Sequence, residues 1–122
     1  MKPYEFEQLV CDHYRQKGYR VQTTSASNDY GIDVFAEKKG EKIAVQVKMY
    51  GGSTRKVNRQ TMMELYGAAA YFDCTKAVLA TDGEVLTDAK EVAHKLGIDI
   101  LFIQPDRKIS MPSASSDEWS LA

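Results

Sequence analysis

The 122-residue chain is poor in the residues that build metal clusters and crosslinks, with only two cysteines and two histidines. Cys11 and Cys74 lie in separate segments, with no CxxC spacing and no histidine cluster beside them. That pattern points to neither a zinc site nor a disulfide framework, and both are expected as reduced thiols packed near the core. No eighteen apolar residues follow one another, and the opening MKPYEFEQLV has no apolar stretch of the kind a signal peptide needs. A soluble, cytoplasmic protein with no membrane partner is the expectation. No internal repeat is visible. There is also no overall excess of positive charge, since the formal net charge is -1, which taken alone argues against a nucleic-acid partner.

The distribution of charge argues the other way. Between Lys38 and Arg59 stand Lys38, Lys39, Lys42, Lys48, Arg55, Lys56 and Arg59 against one acid, Glu41. A basic central segment in an otherwise acidic chain fits a phosphate-facing surface, although solvated turns are also lysine-rich. At 43% hydrophobic residues, the length suits one compact core rather than two.

Periodicity predicts the elements. Phe6, Leu9, Val10, His13 and Tyr14 recur at helical spacing, giving a helix over 3–17 that starts at Pro3 and closes at Gly18. Residues 19–24 alternate as a strand, and the polar run SASND leads to Gly31, where a turn or a close backbone approach is expected. Strands over 32–36 and 42–50 follow, joined by the tight turn EKKGEK. The loop GGSTRK precedes a second helix over 57–72, with Val57, Met62, Leu65, Tyr66, Ala69 and Phe72 on its buried face. A buried strand over 76–81, a helix over 87–96 closed by Gly97 and a strand over 98–103 complete the series. The order α-β-β-β-α-β-α-β predicts an α/β fold, a mixed central sheet flanked by helices on both faces. Residues 1–103 are expected to form the domain, and 104–122, rich in Pro and Ser and carrying Trp119, a flexible or partner-docking tail.

The hairpin YGIDVFAEKKGEKIAVQVK is the unusual stretch. On its second strand Ile43, Val45, Val47 and Met49 take one face, while Ala44, Gln46, Lys48 and Tyr50 take the other. Pairing about Lys39 and Gly40 places Asp33 roughly opposite Gln46, with Lys48 two residues on. A carboxylate and an amide oxygen are hard ligands suited to Mg²⁺, and a lysine beside them can position a water or stabilise charge developing on phosphorus. Glu7 falls with Val10, Cys11 and Tyr14 beside the buried stripe of the first helix, and so could add a second carboxylate. Each residue alone also has a structural reading: an ion pair for Asp33 and Lys48, a satisfied sheet-edge amide for Gln46, an amphipathic edge charge for Glu7. Their conjunction is more specific than any one of them.

Together with FE (Phe6, Glu7), GY (Gly18, Tyr19), NDYGID (Asn28 to Asp33), AVQVK (Ala44 to Lys48), and ATDG with a following helix and GIDIL strand (Ala80 to Leu101), these residues resemble the Mrr-type restriction endonuclease catalytic domain of the PD-(D/E)XK nuclease superfamily. The resemblance covers about residues 4 to 103. It implies a restriction-endonuclease-like core and a Mg²⁺-dependent DNA endonuclease; Gln46, an amide where most relatives carry an acid, would weaken metal binding, so activity confined to Mn²⁺ is a further expectation. Asp33 becomes the central metal ligand, Gln46 takes the position where most of the superfamily has Asp or Glu, Lys48 is the catalytic lysine and Glu7 the accessory acid. Asp29 and Gln60 match further polar positions near the substrate. Arg55, Lys56 and Arg59 would hold the phosphate backbone, and cutting both strands of a duplex makes a homodimer the economical assembly. The sequence departs from the family in a loop before Asp29 that is poorer in glycine, and a single domain without an appended recognition domain is the expectation. A Holliday junction resolvase of the same fold, and a nuclease-fold module that binds DNA without cutting, are the competing readings.

Overall fold

The computed structural model describes residues 1–24 and 30–104. Its elements run α1 (Pro3–Gln16), β1 (Arg20–Thr23), β2 (Val34–Lys38), β3 (Glu41–Lys48), α2 (Arg59–Tyr71), β4 (Lys76–Thr81), α3 (Thr87–Leu96) and β5 (Asp99–Phe102). That is the order expected from periodicity. The strands form one sheet in the order β1-β2-β3-β4-β5. The first three make an antiparallel meander, and β3, β4 and β5 are parallel because α2 and α3 serve as crossovers. The tail residues 105–122, Trp119 included, and the loop residues 25–29 lie outside the described residues.

The alternation along β3 decides how the two faces are covered. Ile43 and Val45, with Val47 and Met49 at the margin, pack with Phe6, Val10, Cys11 and Tyr14 of α1. Ala44 and Tyr50 face the other way, into a cluster built from Met62, Leu65, Ala68 and Ala69 of α2 and Ala89 and Ala93 of α3. Burying apolar surface on both sides of β3, β4 and β5 is the main stabilising term. The hairpin register Lys38↔Glu41 leaves Lys39 and Gly40 as a two-residue turn, both with positive φ (47° and 82°), the mirror-image turn that suits strand twist.

Several boundaries differ from expectation, each for a local reason. Strand β2 begins at Val34 rather than Ile32, because Tyr30 and Gly31 are held at positive φ and the chain turns there. Strand β3 ends at Lys48 rather than Tyr50, where its ladder to β4 stops at Thr81. Helix α2 starts at Arg59, not 57: Val57 pairs with Val85 in an isolated parallel bridge, and Asn58 is the N-cap, its side chain accepting the Thr61 N–H. Tyr66 points outward, 48% exposed, because Leu65, Ala68 and Ala69 already fill the face toward the sheet. No helix among the described residues is long and apolar enough to cross a membrane.

Candidate active site

The polar cluster forms where β2 begins and β3 ends. Asp33 is tied to β3 on both sides of Gln46: its N–H donates to the Val45 carbonyl (2.8 Å), and its Oδ2 accepts the Val47 N–H (2.7 Å). On the β1 side, Thr24 donates its N–H to the Asp33 carbonyl (3.1 Å) and its hydroxyl to the Ile32 carbonyl (2.8 Å). The main chain of Asp33 is thus held from both sides, and its carboxylate is held by the backbone of β3. The other oxygen, Oδ1, receives no hydrogen bond from the described residues. Burial raises the Asp33 carboxyl above its ordinary value, opposed by the Val47 hydrogen bond and by the charge of Lys48.

Gln46 is 8% exposed, and its Oε1 has no hydrogen-bond donor among the described residues. A buried orphan acceptor of this kind is costly unless something fills its coordination. Gly31 makes the approach possible. A Cβ there would lie 2.9 Å from Gln46 Nε2, and its φ of +87° already favours glycine. The close backbone approach expected at this glycine is therefore real, and its contact is the amide of Gln46.

Glu7 is half-buried on α1. Burial raises its carboxyl first, and the nearby charge of Asp33 raises it further. Helix and hairpin thus bring the two acids into one electrostatic neighbourhood, although they come from opposite sides of the sequence gap between α1 and β2. Neither forms an ion pair within the described residues. Lys48 is half-buried, with its ammonium 5.9 Å from the centroid of the Tyr50 ring. A direct structural ion pair between Asp33 and Lys48 is not formed.

The donor set suits a hard divalent cation. No group of three His, Cys, Asp or Glu side chains capable of holding a metal occurs among the described residues. The available ligands are instead two carboxylates, from Glu7 and Asp33, and the orphan amide oxygen of Gln46. All three are hard oxygens, and Mg²⁺ or Mn²⁺ completes its shell with water or substrate oxygens, so the residues fit.

The basic segment divides between the two ends of the sheet. Lys38 donates to the Lys17 carbonyl (2.8 Å) and lies over the Tyr19 ring, while Lys42 donates to the Phe72 carbonyl (3.1 Å). Both belong to the hairpin end, away from Asp33. Arg55, by contrast, stacks on Tyr50 (4.5 Å to the ring centroid), beside Lys48. Lys56 pairs with Glu84 at 3.6 Å and Arg59 with Asp88 at 3.4 Å. Gln60 donates to Glu64 along the exposed surface of α2 (3.1 Å). Asp29 lies outside the described residues. Thr81 and Asp82, which no spacing argument singled out, hold the end of β3. The signal available in the sequence was a threonine ending the apolar strand KAVLAT and an aspartate directly after it.

A mixed sheet carrying this polar cluster between a first helix and an antiparallel hairpin defines a restriction-endonuclease-like nuclease fold. Residues 1–108 match the restriction endonuclease family Mrr_cat, and the chain belongs to that family. Among curated proteins it is 34% identical over 98 residues to the uncharacterized protein y4cE of Sinorhizobium fredii (strain NBRC 101917 / NGR234), covering 71% of this chain and 25% of that protein. A UPF0102 protein of Aquifex aeolicus (strain VF5) is 39% identical over 49 residues, 39% of this chain and 48% of its own length. The chain thus spans a quarter to a half of these relatives. Among solved structures, AF1548, a protein of unknown function, superposes with a TM-score of 0.63 at 19% identity, over 79% of this chain and 56% of that one. The Holliday junction resolvase Hjc of Archaeoglobus fulgidus gives a TM-score of 0.52 at 15% identity, over 85% and 72% of the two chains. An XisH family protein from Nostoc punctiforme PCC 73102 gives 0.52 at 19%, over 87% and 96%. At these identities the structures share the fold.

Proposed function

We propose that the chain is a divalent-metal-dependent DNA endonuclease acting through Glu7, Asp33, Gln46 and Lys48. One observation carries this reading: two carboxylates held near one another without an ion pair, beside a buried amide oxygen without a donor. Electrostatics of this kind calls for a cation, and hard oxygen donors select Mg²⁺ or Mn²⁺. Glu7, Asp33 and Gln46 would hold the ion, which supplies charge neutralisation at the phosphodiester and a more acidic bound water. Asp33 is fixed for this role by the Val47 N–H, which leaves Oδ1 for the metal. Lys48 places a positive charge where negative charge develops on phosphorus as water attacks in line and the bridging P–O bond breaks. Arg55, Lys56 and Arg59 flank the same end of the sheet and would grip the phosphate backbone, giving salt-dependent binding with little sequence selectivity. One such site cuts one strand, so a homodimer is proposed for double-strand cleavage.

The test is cleavage of end-labelled supercoiled, linear, flapped and four-way-junction DNA with Mg²⁺ or Mn²⁺. Asp33→Ala and Lys48→Ala are each expected to lower the cleavage rate at least about a hundredfold, the scale for removing one preorganised transition-state group. A preference for the four-way junction would assign the resolvase substrate to the same site. Binding of DNA without cutting by the wild type would overturn the endonuclease reading in favour of a non-cleaving module.

A further inference from the structure

Lys48 is the last residue of β3, and strand ends fray unless something replaces the missing ladder. Here side chains replace it. The Thr81 hydroxyl, on a residue with no solvent exposure, donates to the Lys48 carbonyl (2.7 Å) and accepts the Gly83 N–H (3.0 Å). One residue on, Asp82 Oδ1 accepts both the Tyr50 and the Gly51 N–H, each at 2.8 Å. The fit is tight. A Cβ on Gly51 would lie 2.6 Å from Asp82 Oδ2, and one on Gly83 would lie 2.8 Å from the Tyr50 Cβ.

From the other side, the Val47 N–H is taken by Asp33. The backbone on both sides of Lys48 is therefore anchored by side chains: Asp33 before it, Thr81 at its own carbonyl, Asp82 just after it. The Tyr50 ring that follows lies beside the ammonium of Lys48 and under the guanidinium of Arg55. A carboxylate accepting two N–H groups at once is a charge-assisted and geometrically narrow arrangement. Such precision is more than strand β4 needs, since Thr81 already pairs with Lys48 in the ladder.

We infer that Thr81 and Asp82 are positioning residues of the nuclease site, holding the end of β3 so that Lys48 addresses Asp33 with the Tyr50–Arg55 stack beside it. This rests on the endonuclease reading for its catalytic consequence, but not for its structural one. A small misplacement of a catalytic group lowers rate steeply while leaving binding nearly intact.

The experiment compares Thr81→Val and Asp82→Ala, which remove the anchoring atoms, with Thr81→Ser and Asp82→Asn, which keep them. Single-turnover cleavage at saturating DNA is read beside DNA affinity, circular dichroism and thermal melting. In parallel, the ε-carbon resonance of ¹³C-labelled Lys48, identified with Lys48→Arg, is compared in each protein with and without Asp33→Asn. The first pair is expected to cut at least about tenfold more slowly at unchanged affinity and to lose the response of the Lys48 signal to Asp33. The second pair is expected to keep the response and at least a third of the rate. Thr81→Val is nearly isosteric and serves if Asp82→Ala does not fold. A wild type that cuts nothing, while the Lys48 response follows this pattern, would defeat the endonuclease reading and leave the positioning role standing. An unchanged Lys48 response in Thr81→Val and Asp82→Ala, or equal losses in all four variants, would overturn the positioning role.

Discussion

Glu7 and Asp33 set the behaviour of the site through what surrounds them. Burial is the larger cause of the upward shift in both, and the charge of Asp33 adds to it at Glu7. Raised above ordinary values of 4.5 and 3.8, the two carboxyls bind protons more readily in the folded chain than in the unfolded one. Their contribution to stability is therefore fully present below those ordinary values and is lost as pH rises through the raised folded ones. At neutral pH without metal, the ionised pair opposes folding. Glu7→Gln removes one charge at nearly constant shape, and is expected to raise the melting temperature of the metal-free protein at pH 7 by roughly 1 to 3 °C. The gain should shrink as pH is lowered through the carboxylate range, and melting curves with and without chelator check both points. An unchanged melting temperature across that range would mean that Glu7 is better solvated than its place beside Asp33 implies.

Among the elements, the stretch from the last residue of β4 into the first turn of α3 does more than cross the sheet. It supplies Thr81 and Asp82 to the end of β3, Val85 to the bridge with Val57, and Glu84 and Asp88 as partners of Lys56 and Arg59. Those last two pairs are exposed, and exposed pairs are worth about 0 to 1 kcal/mol each. Under the proposed phosphate grip, Glu84 and Asp88 would compete with phosphate for the same cations. Glu84→Gln and Asp88→Asn should each tighten DNA binding by about two- to fivefold at low salt, measured by fluorescence anisotropy. Weaker binding in both would place Lys56 and Arg59 outside the DNA path. Helix α2 is capped by Asn58, whose Oδ1 accepts from both the N–H and the hydroxyl of Thr61. Replacing this cap with alanine should lower stability by about 1 kcal/mol in a denaturant titration, and a loss of this size would show that α2 is anchored at the end that carries Arg59.

At the scale of the whole molecule, one sheet is covered by α1 on one face and by α2 and α3 on the other, and the polar cluster lies at one end of it. The described residues of a single chain present one such cluster, so under the proposed function cutting both strands of a duplex is expected to require two copies. Sedimentation with a duplex under cleavage conditions should show two protein chains per competent complex. A complex with one copy that still yields double-strand breaks would remove the dimer from the proposal.

Much of this was legible without coordinates. The alternation of Ile43 to Tyr50 along a strand of period two assigned each residue to its face, and the Lys39-Gly40 turn fixed the register that brings Asp33 to Gln46. Both are local signals, set by the pleat and by turn geometry. Tyr66 was misread because a helical period looks alike whether it is buried or exposed, and only the packing of α2 decides which side faces the sheet; Val57 is buried as expected, but in a bridge to Val85 ahead of the helix, a partner distant in sequence. The charge run from Lys38 to Arg59 read as one surface, yet the hairpin sends Lys38 and Lys42 to the opposite end from Arg55. The sequence by itself determined the order of elements, the two faces of β3 and the meeting of Asp33 with Gln46, because those follow from contacts close along the chain. Only the tertiary structure decided that Glu7 shares the field of Asp33 and that Thr81 and Asp82 grip the end of β3, because those groups come together through helix packing and a parallel crossover whose register no local pattern encodes.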